Sequence, residues 1–110
     1  MGKAKNIDMN REDIIATLRA HESELRSRGV LSLSLFGSAG RGETRVDSDV
    51  DVAVRLSEGF SEPGFDYFSC LDALEAQLAQ FLGCDVDVVE EPVRKERLQK
   101  KIDRDRALAF

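Results

Sequence analysis

The stretch Gly37-Ser38-Ala39-Gly40-Arg41-Gly42-Glu43-Thr44-Arg45-Val46-Asp47-Ser48-Asp49-Val50-Asp51 decides how this chain is read. It runs from a glycine-rich turn behind one predicted strand to two carboxylates, Asp49 and Asp51, at the head of the next. A turn that frees backbone N–H groups at a helix start suits phosphate. Two carboxylates two residues apart on a strand point the same way and can share divalent cations. The combination predicts a site for Mg²⁺ and a nucleotide.

On either side of this stretch the apolar periodicity is two. Val30–Phe36 places Leu31, Leu33 and Leu35 on one face and Ser32 and Ser34 on the other, a strand with apolar packing on one side. Residues 49–56 alternate likewise, with Val50, Val52, Val54 and Leu56 toward the core and Asp49, Asp51, Ala53 and Arg55 opposite. Between them, Ser38 to Glu43 is expected to form a short helical turn. Upstream, Asn10 and Asp13 resemble a helix start, and Ile14, Leu18, His21 and Leu25 share one helical face up to a stop at Gly29. A lone histidine on such a stripe reads as a packed residue with one hydrogen bond.

Downstream, Ser57–Gly64 reads as an exposed loop. An amphipathic helix follows over residues 66–82, its stripe made by Tyr67, Leu71, Leu74, Leu78 and Phe81 and its stop by Gly83. Residues 84–89 form a third strand with Val86 and Val88 on one face and Asp85, Asp87 and Val89 on the other. Pro92 is expected to open a last, basic helix carrying Leu98 and Ile102, and residues 107–110 to add an edge strand.

The 110 residues make one domain, residues 10–110, behind a flexible polar leader at residues 1–9. A formal charge of −5 excludes a general nucleic-acid binder, which needs a broad basic surface to replace counterions. The acidity crowds the middle, while Arg94, Lys95, Arg97, Lys100, Lys101, Arg104 and Arg106 crowd the C-terminal end. Cys70 and Cys84 have no metal-binding spacing and read as free thiols of a reducing cytoplasm. No apolar run approaches a membrane span.

Nucleotidyl transfer needs a cradle for the β and γ phosphates, metal on the α-phosphate, and an activated hydroxyl attacking in line. Gly37 and Ser38 can donate to phosphate oxygens, with Arg41 adding charge one turn later. Asp49 and Asp51, about 7 Å apart at their Cα atoms, can converge on metal. A third carboxylate would hold two metal ions more securely. Asp85 and Asp87 share the required face, so periodicity leaves both open; Asp87, flanked by Val86 and Val88, is held more rigidly and is preferred. Aspartates are disfavoured in strand interiors, and three on the non-core faces of two strands call for a ligand.

Gly37-Ser38, ten residues, then Asp49-x-Asp51, with Asp87 in Val-Asp-Val-Val, resembles the signature of the polymerase-β-like nucleotidyltransferase superfamily. The Arg41-Gly42-Glu43 run and the Asp47-Ser48-Asp49 lead-in resemble its small members, the minimal nucleotidyltransferase (MNT) domains. The resemblance implies an α/β fold, a mixed β-sheet with helices packed on it. It implies Mg²⁺, two ions, on Asp49, Asp51 and Asp87, ATP phosphates at Gly37, Ser38 and Arg41, and Asp87 as the base. Ala39-Gly40 departs from the family's larger or basic residue followed by alanine.

Small stand-alone members resemble the antitoxin half of toxin–antitoxin pairs whose partner is an all-helical HEPN ribonuclease, silenced by transfer of AMP from ATP onto a tyrosine. The resemblance therefore implies a cytoplasmic antitoxin with a HEPN-type toxin as partner and a homo-dimer or hetero-oligomer as its assembly. Two alternatives stand beside it: a cover that neutralises the toxin without catalysis, and transfer onto a small molecule or an RNA end.

Overall fold

The computed structural model describes residues 10–43, 49–60 and 66–110. The expected leader, the part of the lead-in at residues 44–48 and the loop residues 61–65 lie outside them. The elements in order are α1 (Arg11–Ala20), α2 (Glu22–Ser27), β1 (Val30–Phe36), α3 (Gly37–Gly40), β2 (Val50–Leu56), α4 (Tyr67–Leu82), β3 (Val86–Glu90), α5 (Glu96–Asp105) and β4 (Ala107–Leu108). The strands form one mixed sheet in the order β3-β2-β1-β4. β1 is antiparallel to β2 and to β4, and β2 is parallel to β3, with α4 as the crossover. The α/β architecture and the edge strand at Ala107 thus follow the sequence reading.

Helix α1 starts where Asn10 and Asp13 cap each other reciprocally, the Asp13 N–H donating to Asn10 Oδ1 at 2.9 Å. The expected single helix up to Gly29 is instead two, broken at His21, whose backbone leaves helical geometry. The His21 ring is stacked on Phe81 of α4, centroids 3.6 Å apart and 5° from parallel, with Nδ1 3.3 Å from Glu24 Oε1. It is a packed histidine with one hydrogen bond, and the stack occupies the bend.

The main core lies between β1–β3 and the helices α1, α2 and α4. Leu18, Leu25, Leu33, Leu35, Val52, Val54, Leu74 and Leu78 are fully buried in it. In β1 the even alternation fails at its first turn of the pleat. Val30 pairs with Leu56 and Ser32 with Arg55, so Leu31 is an extra residue in a bulge and is 51% exposed rather than in the core. The bulge is what puts Val30 and Leu33, three residues apart, on the same face.

The serine face of β1 is covered as well, because α5 packs across it. Ile102 is seated on Phe36 and Ala53, with Val89, Val93 and Leu98 at the margin, a second small core. Ser34 is consequently buried, and its hydroxyl accepts a hydrogen bond from Arg106 at 3.0 Å; Arg106 also donates to the buried Glu91 at 2.8 Å. Pro92 does not open α5. The β-ladder continues through Glu91, whose N–H reaches the Val54 carbonyl at 2.8 Å, so Pro92 is spent on leaving the sheet, and the helix begins at Glu96. β3 likewise starts later than expected, at Val86 rather than Cys84.

Phe60 is the core residue that periodicity missed: it is 7% exposed at the end of an otherwise polar Ser57–Phe60 turn. An aromatic inside a Gly- and Ser-rich loop is the signal for such an anchor. Helix α4 starts at Asp66, whose carboxylate accepts the Ser69 N–H at 2.6 Å, and ends at Gly83.

Candidate active site

The sheet register brings the site together. Asp51 pairs with Phe36 across the antiparallel β1–β2 ladder and with Asp87 across the parallel β2–β3 ladder. Phe36 leads directly into Gly37. Gly37 has φ 66°, and a Cβ added there would lie 2.5 Å from Asp51 Oδ2. The glycine therefore serves two needs at once: it takes the left-handed backbone of the turn and leaves room for the carboxylate.

The neighbouring Gly40, the second position of the departure from the family pattern, is confined by its surroundings. A Cβ there would overlap the Asp105 carbonyl oxygen and lie 3.0 Å from the Leu35 carbonyl. The small residue is set by how closely α3 lies against the end of α5. The expected helical turn from Ser38 to Glu43 is accordingly shorter, α3 ending at Gly40 and the chain turning back so that the Glu43 N–H meets the Ser38 carbonyl at 2.7 Å.

Asp49 and Asp87 are exposed, whereas Asp51 is half-buried between them and the glycine turn. Burial pushes the Asp51 carboxyl above the usual carboxylate range; the charges of Asp87 and then Asp49 push the same way, and Lys101 pulls it partly back. Asp85 precedes β3, its carbonyl holding the Val50 N–H at 3.0 Å, while Asp87 is the residue in register with Asp51. Of the two, Asp87, the one preferred from the sequence, is thus the one in register with Asp51.

A groove of 440 Å³ opens beside β3, lined by five carboxylates, Asp49, Asp72, Glu75, Asp85 and Asp87, and by Ala76 and Ala79 of α4. Glu75 also caps the open edge of β3 by accepting the Val88 N–H at 3.0 Å. A hollow of 470 Å³ elsewhere, lined by Arg28, Phe60, Ser69 and Cys70 among others, has no carboxylate and none of the predicted site residues among the described residues that line it.

Oxygen donors with mutual repulsion suit a hard divalent cation, and Asp49, Asp51 and Asp87 supply such a set. Among the described residues no three His, Cys, Asp or Glu side chains are gathered into a metal cage as they stand. The fit rests on register and on donor chemistry.

Arg41 faces another way. Its guanidinium donates to Asp105 at 2.9 Å and pairs with Glu43 at 3.2 Å. Asp105 has a side chain only 2% exposed and also takes Arg104 at 3.0 Å. The Arg104 hydrogen bond, ahead of the Arg41 charge, holds the Asp105 carboxyl below the usual range. Ser38, half-buried, remains beside Gly37 on the turn. The sequence reading named the basic residues of this helix and passed over Asp105, whose i,i+3 spacing from Ile102 on the buried face was the available signal.

The nucleotidyltransferase domain family matches residues 18–109. The Protein adenylyltransferase MntA of Thermococcus cleftensis is 39% identical over 95 residues, covering 86% of this chain and 90% of that protein. A solved structure assigned as a minimal nucleotidyltransferase superposes with a TM-score of 0.72 at 31% identity, over 91% of this chain and 96% of that one. In fold alone, a chain from the complex of tri-AMPylated Shewanella oneidensis HEPN toxin with MNT antitoxin is also similar, with a TM-score of 0.60 at 20% identity over 88% of this chain and 71% of that one. With the register of the carboxylates, these likenesses show that the chain belongs to the nucleotidyltransferase domain family, as a minimal nucleotidyltransferase of the MntA kind.

Proposed function

We propose that this nucleotidyltransferase moves AMP from ATP onto a protein hydroxyl, a tyrosine of a HEPN-type ribonuclease toxin, in a Mg²⁺-dependent reaction, and so acts as an antitoxin. The observation that carries the proposal is the pairing of Asp51 with Asp87 beside the glycine turn at Gly37. The name of the Thermococcus cleftensis relative supports protein as the acceptor, and the HEPN complex supports the class of partner.

In this reading Asp49, Asp51 and Asp87 hold Mg²⁺, two ions, which when bound would neutralise charge at the α-phosphate. Gly37 and Ser38 receive the outer phosphates. The acceptor oxygen bonds to the α-phosphorus, the bond from that phosphorus to the bridging oxygen breaks, pyrophosphate leaves, and Asp87 takes the acceptor's proton. Asp87 is the exposed member of the pair, open to an incoming hydroxyl, while Asp51 is fixed by burial. Free Cys70 and Cys84 fit a cytoplasmic setting, and no helix among the described residues is long and apolar enough to cross a membrane.

The test is transfer of label from α-labelled and, separately, γ-labelled ATP in the presence of Mg²⁺ and the co-expressed partner. Label from the α-phosphate alone, on a protein band and absent with Asp49→Asn, is the expected result. Tight partner binding with no label from either probe would refute catalysis and leave a non-catalytic cover; label on a small molecule or RNA end would refute the acceptor.

A further inference from the structure

We propose that Lys101 is the cation that receives the triphosphate of the bound nucleotide, in the part that the sequence assigned to Arg41. The proposal rests on the nucleotidyl-transfer reading above and adds a residue to it. On α5, Arg97, Lys100, Lys101 and Arg104 follow one another at helical spacing, and all are exposed. They are not equivalent, because α5 is anchored at one point on the site.

That anchor is Ile102, fully buried on Phe36 and Ala53. Phe36 is the residue paired with Asp51 and the one that precedes Gly37; Ala53 lies two residues beyond Asp51 on the same face of β2. Lys101 is therefore attached to the helical turn that sits over the junction of the glycine turn and the carboxylates. Gly40 against the Asp105 carbonyl fixes the next turn of α5 to α3 in the same place.

Two other cations near the glycine turn are engaged. Arg41 and Arg104 are both held by Asp105, at 2.9 and 3.0 Å. Lys101 forms no ion pair among the described residues. Carboxylates and a triphosphate together outweigh the charge of two divalent ions, so such a site needs a further positive group. A lysine on a flexible stem can serve phosphate as a point charge.

The experiment is calorimetric binding of ATP, of its non-transferable α,β-methylene analogue and of AMP, with Mg²⁺, to the full chain and to Lys101→Ala, Lys101→Arg and Arg97→Ala. One charge-assisted contact predicts that Lys101→Ala weakens both triphosphates about tenfold or more and AMP less than twofold. Lys101→Arg should restore most of the loss, and Arg97→Ala, one turn farther from α3, should bind like the parent. Equal triphosphate binding by Lys101→Ala and parent overturns the proposal, as does equal weakening by Arg97→Ala, which would mean only a general field. So does equal weakening of AMP and ATP. A parent chain that binds no triphosphate refutes the nucleotidyl-transfer reading as well, and is recognised without any variant.

Discussion

Gly37→Ala tests the site's geometry most directly, because the substitution adds a single methyl group and no charge. Two penalties follow from the structure. Holding alanine at φ 66° costs about 1–2 kcal/mol. For a chain of 110 residues, with an unfolding entropy of about 2 cal/mol/K per residue, that lowers the Tm by roughly 4–9 °C. The second penalty is local: the new Cβ would lie 2.5 Å from Asp51 Oδ2, so the carboxylate must withdraw by about 1 Å to reach ordinary contact. A displacement of that size in a group that positions reacting atoms costs about a hundredfold in rate. Thermal melts and initial rates of AMP transfer, measured on the same preparations, separate the two. Adding Asp51→Ala removes the clash and keeps the strain, so the stability loss caused by Gly37→Ala should shrink in that background. Gly59→Ala, with no atom of the described residues within 4 Å of the added methyl, is the neutral control. Transfer retained within twofold in Gly37→Ala, or an identical stability loss with and without the Asp51 carboxylate, would refute the argument that this glycine exists to seat Asp51.

The remaining predictions concern charge. Asp51 has a carboxyl raised in the folded state, so the folded chain holds its proton longer than the unfolded chain, and metal-free stability falls as pH rises from the ordinary carboxylate range through the raised value. Asp51→Asn should flatten that fall and abolish transfer, and Mg²⁺ should raise the Tm of the parent but not of this variant; a Mg²⁺ response that survives the substitution would count against the ligand assignment. Arg106→Ala strips the buried Glu91 of its 2.8 Å partner, leaving only Arg55 at 3.9 Å, and removes the donor to Ser34. It should cost about 3 kcal/mol in urea unfolding, the low end for a broken buried pair because the guanidinium is 31% exposed; a loss under 1 kcal/mol would contradict it. Tyr67 is the sole tyrosine, and burial, then its hydrogen bond to Glu90, raises the phenol to about 12. Its ultraviolet titration should therefore lie well above 10, with stability falling as pH rises through the ordinary phenol range, and Glu90→Gln should move the titration only part of the way back; an ordinary midpoint in the parent would refute the assignment.

The sequence carried the strands and the carboxylates because both announce themselves over short distances. Alternation located Val30–Phe36 to the residue, and aspartates on non-core faces marked the site before any pairing was known. Register was the missing quantity. Leu31 obeys the alternation on paper and violates it in the fold, because a bulge is a property of two strands and only one was being read. That Asp87, preferred over Asp85 for its central place, stands opposite Asp51 likewise became visible only with the partner strand. Ser34 is the same lesson across layers: a polar face is solvated only until another element covers it, and α5 supplies the Arg106 donor that makes burial acceptable. Arg41, drawn toward phosphate by its place in the motif, is held by an aspartate 64 residues away, beyond the reach of any local pattern.

Ser34 and Arg41 both meet the end of α5, and that has a mechanical meaning. Ile102 closes the second core over Phe36 and Ala53, Asp105 ties down Arg41, and its carbonyl is the surface against which Gly40 had to be small. The same helix thus supports the residue facing Asp51 and the turn that begins at Gly37. A helix serving only as a charged tail could be shortened with little consequence beyond its own contacts. Here, loss of the turn from Ile102 to Asp105 removes the packing behind the glycine turn, so Gly37 and the Asp51 and Asp87 carboxylates lose their fixed separation together. The basic residues of the segment belong to its outer face, whereas its thin apolar stripe, Leu98 and Ile102, packs on the second core beside Phe36 and Ala53.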